Sequence, residues 1–219
     1  MRFPQDFCCV VTHLPQRTDR LPLVNKLAEQ LKGVGRFTVN LAWNKDTNPY
    51  PKIKDEFHPT KWAVAASFRK SVQIAIESNL PYLIVAEDDA VLVKDVSAIQ
   101  TCLNAAPDFD VLYCGHSRER QLDLAQPVTQ VEGNVFWNTF LVMRRATATQ
   151  LLQDMWTPDY WSSAPDGYGL LASDDSLSLW CGRNNIKRYV ACPVIAIQQG
   201  GRGDNTHGNF QGWPAWYGR

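Results

Sequence analysis

The sequence predicts an α/β fold, a sandwich of helices around a mostly parallel sheet, and three observations carry that expectation. Strand-like and helix-like stretches alternate along the chain. The run Pro81 to Asp95, PYLIVAEDDAVLVKD, contains Leu83, Ile84, Val85 and Ala86, with the length and β-branched content of a strand covered on both faces. A length of 219 residues with ordinary apolar content suffices for one substantial core, so a single domain over residues 1–219 is expected.

Taken in order, Phe7 to Thr12 is a first buried strand, followed by the polar Gln16 to Arg20. A helix should begin there. Thr18 is a suitable cap, Pro22 is tolerated in the first turn, and Leu23, Val24, Leu27 and Leu31 form one stripe before Gly33 and Gly35. Arg36 to Trp43 reads as a second strand with Phe37, Val39 and Leu41 inward, and Asn44 to Pro59 as a mobile loop. From Thr60, the residues Trp62, Ala65, Phe68, Val72 and Ile76 recur at helical spacing up to about Asn79. Beyond the acidic strand, Val96 to Ala105 is a short helix and Phe109 to Cys114 a strand. Ser117 to Gln130 is a loop, Val135 to Met143 an apolar segment, and Ala146 to Met155 a helix with Leu151, Leu152 and Met155 inward. Leu177 to Cys181 is helical, Tyr189 to Ile197 the last strand, and residues 198–219 a Gly- and aromatic-rich tail suited to closing over a ligand.

Composition narrows the function. Twenty-two basic residues balance twenty-two acidic ones, so no net field argues for nucleic acid or a membrane surface as an obligatory partner. No run has the length of a transmembrane helix, and MRFPQDF lacks the regions of a signal peptide, so a cytoplasmic location is expected. The six cysteines are scattered without zinc spacing and read as reduced, buried thiols. Trp156, Trp161, Trp213 and Trp216 fall in loop-like surroundings, where they stack on a sugar or base or else cover the core.

The chemistry concentrates at Glu87, Asp88 and Asp89, which should sit at the carboxyl end of their strand, the edge where open α/β sheets bind ligands. Adjacent carboxylates repel, and burying them unpartnered is costly, so a cation accounts for the cluster; a solvated acidic turn is the plain alternative. A second pair, Asp174 and Asp175, stands just ahead of a helix. It suits either a carboxylate base or simple capping.

The order of segments is what carries a family likeness: a first strand running into LPQRTDR, a helix holding Ser67, LPYLIVAEDDAVL, a later strand and helix, and the second acidic pair. From residue 7 to about residue 200 the chain resembles the lipopolysaccharide-type glycosyltransferases of family 25, as a distant member. Along the helix of Lys61, Ala63, Val64, Ser67 and Phe68, only Ser67 agrees with the family's usual residues. The resemblance implies the single-domain GT-A fold and transfer of a sugar, UDP-hexose being the expected donor, to a glycan or lipopolysaccharide hydroxyl with inversion. It implies Asp89 as direct ligand of Mn²⁺ or Mg²⁺, with Asp88 or Glu87 facing the ribose or completing the coordination sphere. A further metal ligand is expected from Asp204 or His207, with His207 preferred.

The first loop, Thr12 and Leu14 through Arg17 and Arg20, would meet the nucleotide and diphosphate, since arginine presents several donors to phosphate oxygens. Arg17 and Arg20 have the alternative of pairing with Asp19 or Glu29. Asp174 or Asp175 would be the catalytic base at the acceptor. Two rival readings use the same residues. One is a metal-dependent phosphoryl-transfer enzyme or hydrolase built on Asp88, Asp89, Asp174 and Asp175. The other is glycosyl transfer to a modified nucleic-acid base held by Lys52, Lys54, Arg118, Arg120, Lys187 and Arg188; balanced charge disfavours nucleic acid as a partner.

Overall fold

A strand covered by helices on both sides must be apolar on both sides, and the first strand, Phe7–His13 (β1), is: six of its seven side chains are buried. In the computed structural model, the described residues are 3–50, 59–116, 125–132, 135, 139–154, 173–199, 201–202 and 209–210. Side chains are not described at Lys61, 173–176, 201–202 and 209–210.

After β1 come α1 (Leu21–Gln30), β2 (Arg36–Leu41), α2 (Pro59–Glu77), β3 (Tyr82–Glu87), β4 (Ala90–Leu92), α3 (Ser97–Ala105) and β5 (Val111–Gly115). Then follow β6 (Val128–Gln130), β7 (Phe140–Arg144), α4 (Arg145–Asp154), α5 (Ser173–Arg183), β8 (Arg188–Ala191) and β9 (Ala196–Gln198). Two short pieces, β10 (Gly201–Arg202) and β11 (Asn209–Phe210), pair with each other. The seven-stranded sheet has the order β2-β1-β3-β7-β5-β8-β6. Its pairings make β2, β1, β3, β5 and β8 run one way and β7 and β6 the other, so the sheet is largely parallel.

Side-chain alternation along these strands separates two cores. Cys9, Val11, Ile84, Leu112 and Val142 face α1 and α3, packing against Leu27, Leu31, Ile99 and Leu103. Cys8, Val10, Leu83, Tyr113 and Leu141 face α2, α4 and α5, packing against Val72, Leu151, Leu177 and Trp180. The result is a three-layer sandwich. All six cysteines are free and buried, and burial pushes the Cys102 and Cys181 thiols up to about 12, which keeps them protonated and unreactive.

Several local expectations are corrected. On β2 Phe37 packs half-buried against the core as expected, but the fully buried residue is Asn40, while Val39 is 39% and Leu41 56% exposed. As an edge strand, β2 answers to only one neighbour, and the buried Asn40 amide donates to Ser67 O (3.1 Å) and Ser71 Oγ (2.8 Å) on α2. Thr18 caps nothing: a 3₁₀ turn, Thr18–Arg20, precedes α1, and Arg20 at the helix start makes no side-chain cap bond. The last strand is two: Pro193, which has no N–H to donate, interrupts the run, and β9 beyond it pairs antiparallel with β4. The loop read over Ser117 to Gln130 ends in the edge strand β6, and the apolar segment before Met143 becomes β7, which inserts antiparallel between β3 and β5. Residues 44–50 are tied by Asn44 Oδ1, which accepts from the N–H groups of Asp46 (2.8 Å) and Thr47 (2.9 Å). Residues 51–58, Met155, all four loop tryptophans named above and residues 203–208 and 211–219 lie outside the described residues.

Two glycines give opposite expectations. A Cβ on Gly35 would lie 2.3 Å from the Gln5 carbonyl oxygen, whereas one on Gly182 in the last turn of α5 meets nothing within 4 Å. Gly35→Ala should cost about 1–3 kcal/mol by overpacking. Gly182→Ala should stabilise by about 0.4–1 kcal/mol through the unfolded chain. Urea midpoints at unchanged slope would check both.

Candidate active site at the carboxyl edge of the sheet

Because β1 and β3 are parallel neighbours, the loop after His13 and the turn after Glu87 emerge side by side at the carboxyl edge. Asp88 and Asp89 form that turn and are buried, at 4% and 2% exposure. Charges so placed require partners, and the first loop supplies them.

Asp88 points into the protein. Its Oδ2 accepts from His13 Nδ1 (2.8 Å) and from the Leu14 backbone N–H (3.1 Å), while Oδ1 accepts from Arg20 Nη1 (2.5 Å). A carboxylate only accepts, so His13 carries its proton on Nδ1. Both Asp88 oxygens thus hold the chain at and after the end of β1.

Asp89 is held differently. Oδ2 lies 3.1 Å from Arg20 Nη2 and accepts from Gln198 Nε2 at 3.0 Å. The Asp89 carbonyl accepts from the Gln199 N–H at 2.8 Å. Oδ1 is buried and has no hydrogen-bond partner among the described residues. Burial pushes the Asp89 carboxyl above the ordinary range; the Arg20 guanidinium and the Gln198 amide oppose this, and Asp88 adds to it. At Arg20, burial works against the charge, but Asp89 and Asp88 outweigh it and raise the pKa. The cation expected beside the carboxylates is therefore supplied in part by the chain itself.

Arg17 does not join this group through the bonds described. Its Nε and Nη2 meet Asp19 Oδ1 (2.9 Å) and Oδ2 (2.8 Å), the pairing foreseen as the alternative, and this bidentate bond holds the exposed Asp19 carboxyl down to about 2. Thr12 Oγ1 lies 2.7 Å from Ser71 Oγ, which ties the end of β1 to α2. Glu87 is half-buried, and its N–H donates to Thr139 O at 3.0 Å. Asp174 and Asp175 lie in the first turn of α5, with their side chains outside the described residues. That helix leads by a short turn into the amino end of β8, so its own N-terminus is directed to the carboxyl edge. His207 and Asp204 lie outside the described residues.

A Mn²⁺ or Mg²⁺ ion requires oxygen ligands, and a buried, partnerless carboxylate oxygen is a fitting donor. Among the described residues no group of three His, Cys, Asp or Glu side chains converges to hold an ion. His13 and Gln198 were not singled out from the sequence. His13 simply follows an apolar strand, and Gln198 is brought to Asp89 by the pairing of β4 with β9 across 109 residues.

No family model matches the chain, and no curated protein matches its sequence. Its fold, however, is shared with solved structures. A197 from STIV superposes with a TM-score of 0.50 at 14% identity, over 90% of this chain and 84% of that one. A glycosyltransferase involved in the glycosylation of the major capsid of PBCV-1 superposes with a TM-score of 0.51 at 8% identity, over 88% of this chain and 92% of that one. The chain thus shares its mixed α/β, GT-A-like fold with a solved glycosyltransferase. Among the described residues no helix is long and apolar enough to cross a membrane.

Proposed function

We propose that the chain is a glycosyltransferase that moves a sugar from a nucleotide diphosphate sugar, a UDP-hexose being the first candidate, to a hydroxyl on a glycan-type acceptor such as lipopolysaccharide. The observation that carries this reading is the free Oδ1 of buried Asp89 at the carboxyl edge of a GT-A-like sheet, with Arg20 beside it. A distant place in family 25 rests on the EDD strand and the LPQRTDR turn.

In this reading Asp88 fixes the first loop, so that the backbone after Thr12, Leu14 among it, and Arg20 are held where the nucleotide and diphosphate enter. Asp89 is the ligand of Mn²⁺ or Mg²⁺, with His207 assigned as its partner. Such a cation offsets the negative charge that grows on the departing diphosphate. Arg20, already drawn to two carboxylates, adds a second positive group at the same place. Asp174 or Asp175 takes the proton of the acceptor hydroxyl as its oxygen bonds to the anomeric carbon and the bond from that carbon to the diphosphate breaks on the opposite face, a single displacement that inverts the centre. Glu87 is left to the ribose.

The rival classes fit less well. A two-metal phosphoryl-transfer site needs Asp88 as a ligand, and His13, Leu14 and Arg20 already occupy its oxygens. For a nucleic-acid acceptor, Arg188 is buried, and Lys187 pairs with Asp108 (2.6 Å) just before β8, at the opposite sheet edge from Asp89. The other four basic residues lie outside the described residues.

Thermal-shift screening of UDP-, GDP- and CMP-sugars with and without Mn²⁺ tests the proposal. Binding at one hundred times Kd stabilises by about 2.7 kcal/mol, so a metal-linked rise of several degrees with one nucleotide class is expected. No rise with any of them would contradict the reading.

A further inference from the structure

Beyond the ligand itself, the chain must decide which oxygen of Asp89 faces the donor. A carboxylate on a short side chain can rotate and offer either oxygen to either side; here one oxygen is claimed twice and the other not at all. One claim comes from Arg20, which divides its guanidinium between Asp88 and Asp89. The other comes from Gln198, the last residue of β9, whose amide donates to Oδ2 at 3.0 Å. The backbone repeats the link: the N–H of Gln199 donates to the Asp89 carbonyl at 2.8 Å, and Ala90 pairs with Gln198 in the β4–β9 ladder. The strand that carries Gln198 is therefore registered on the residue that follows Asp89, and the amide is delivered to its oxygen by that register.

We propose that Gln198 is a positioning residue for divalent-cation binding: it holds Asp89 Oδ2 and so presents Oδ1 to a hard cation such as Mn²⁺. Outer partners of this kind fix ligand orientation, and their loss typically weakens metal binding about 10–100-fold. The inference rests on the assignment of Asp89 as the cation's ligand. It adds that β9, through the side chain of its last residue, sets the affinity at the acidic turn.

The test is isothermal titration of Mn²⁺ alone into the full chain and into Gln198→Leu, which keeps bulk and removes the donor. The Tm of each metal-free protein is measured alongside, and UDP-sugar titrations are run with and without the cation. Gln198 is half-buried at the end of a strand, so the metal-free variant should fold with an unchanged Tm. The expected result is a Kd for Mn²⁺ raised about 10–100-fold at that unchanged Tm. An unchanged Kd would overturn the inference, as would a wild-type chain that binds no Mn²⁺. If Gln198→Leu does lower the metal-free Tm, Gln198→Asn, which keeps the amide on a shorter stem, should show a Kd between the two; a Kd equal to that of the wild type would count against the positioning role. The outcomes also separate this inference from the donor assignment. UDP-sugar binding without any Mn²⁺ binding leaves the donor reading and removes the role of Gln198. Mn²⁺ binding weakened by Gln198→Leu without any nucleotide-sugar binding does the reverse.

Discussion

Asp89→Asn is expected to lower kcat about 10²–10³-fold, the scale of losing one preorganised charge-stabilising group, while leaving Tm unchanged or slightly higher. The two halves of this expectation have one cause. The Asp89 carboxyl is buried with Oδ1 unpartnered, and burial pushes its pKa up, so the ionised group is costly to keep in the folded state. An unsatisfied buried acceptor costs about 1–3 kcal/mol. Asparagine keeps the shape and can still accept from Gln198, and Arg20 retains Asp88 as its counter-ion. A residue that lowers stability yet is needed for turnover is the usual signature of a functional site. Steady-state kinetics on the donor identified by thermal shift, together with a melting curve, would check both halves. A variant of normal kcat would remove Asp89 from the chemistry.

Asp88→Asn should have the opposite profile, with a loss of about 3–5 kcal/mol in folding stability as its first consequence. Its carboxylate is the common acceptor for His13 at the end of β1, Leu14 in the loop after it and Arg20 at the start of α1, and is nearly sealed from water. The amide offers one acceptor oxygen. If that oxygen faces His13 and Leu14, the NH₂ group confronts the Arg20 guanidinium; if it faces Arg20, the NH₂ group confronts two donors. Either arrangement leaves buried donors unpaired and removes the charge that compensates Arg20. Urea denaturation measures the loss directly. A change below about 1 kcal/mol would mean that the clasp contributes no more than an exposed ion pair does.

The sequence made β1, β3 and α2 legible because each buries an apolar face, and periodicity records burial. It misjudged β2, where apolar Val39 and Leu41 turn outward and polar Asn40 inward, because an edge strand packed on α2 is chosen by hydrogen bonds to Ser67 and Ser71 as well as by hydrophobicity. It missed β6 for a similar reason: a three-residue edge strand carries too little pattern to stand out from its loop. The break between β8 and β9 turns on Pro193, which the apolar run around it concealed.

At the site, residue type announced the acidic turn but not its division of labour. Three consecutive acidic residues look equivalent on paper. Only the geometry turns Asp88 inward to His13, sets Asp89 between Arg20 and Gln198, and leaves Glu87 half-buried at the strand end. Arg17 and Arg20 likewise differ by three positions and meet different carboxylates, Asp19 in one case and Asp88 with Asp89 in the other.

In the proposed enzyme, Asp89 Oδ1 faces a cation and a nucleotide diphosphate. The most direct measurement is anomalous scattering from crystals of the chain grown with Mn²⁺ and a nucleoside diphosphate. A peak about 2.0–2.2 Å from Asp89 Oδ1, with diphosphate oxygens completing its shell, is the expected result. Nucleotide density elsewhere on the chain, with no Mn²⁺ peak at Asp89, would contradict it.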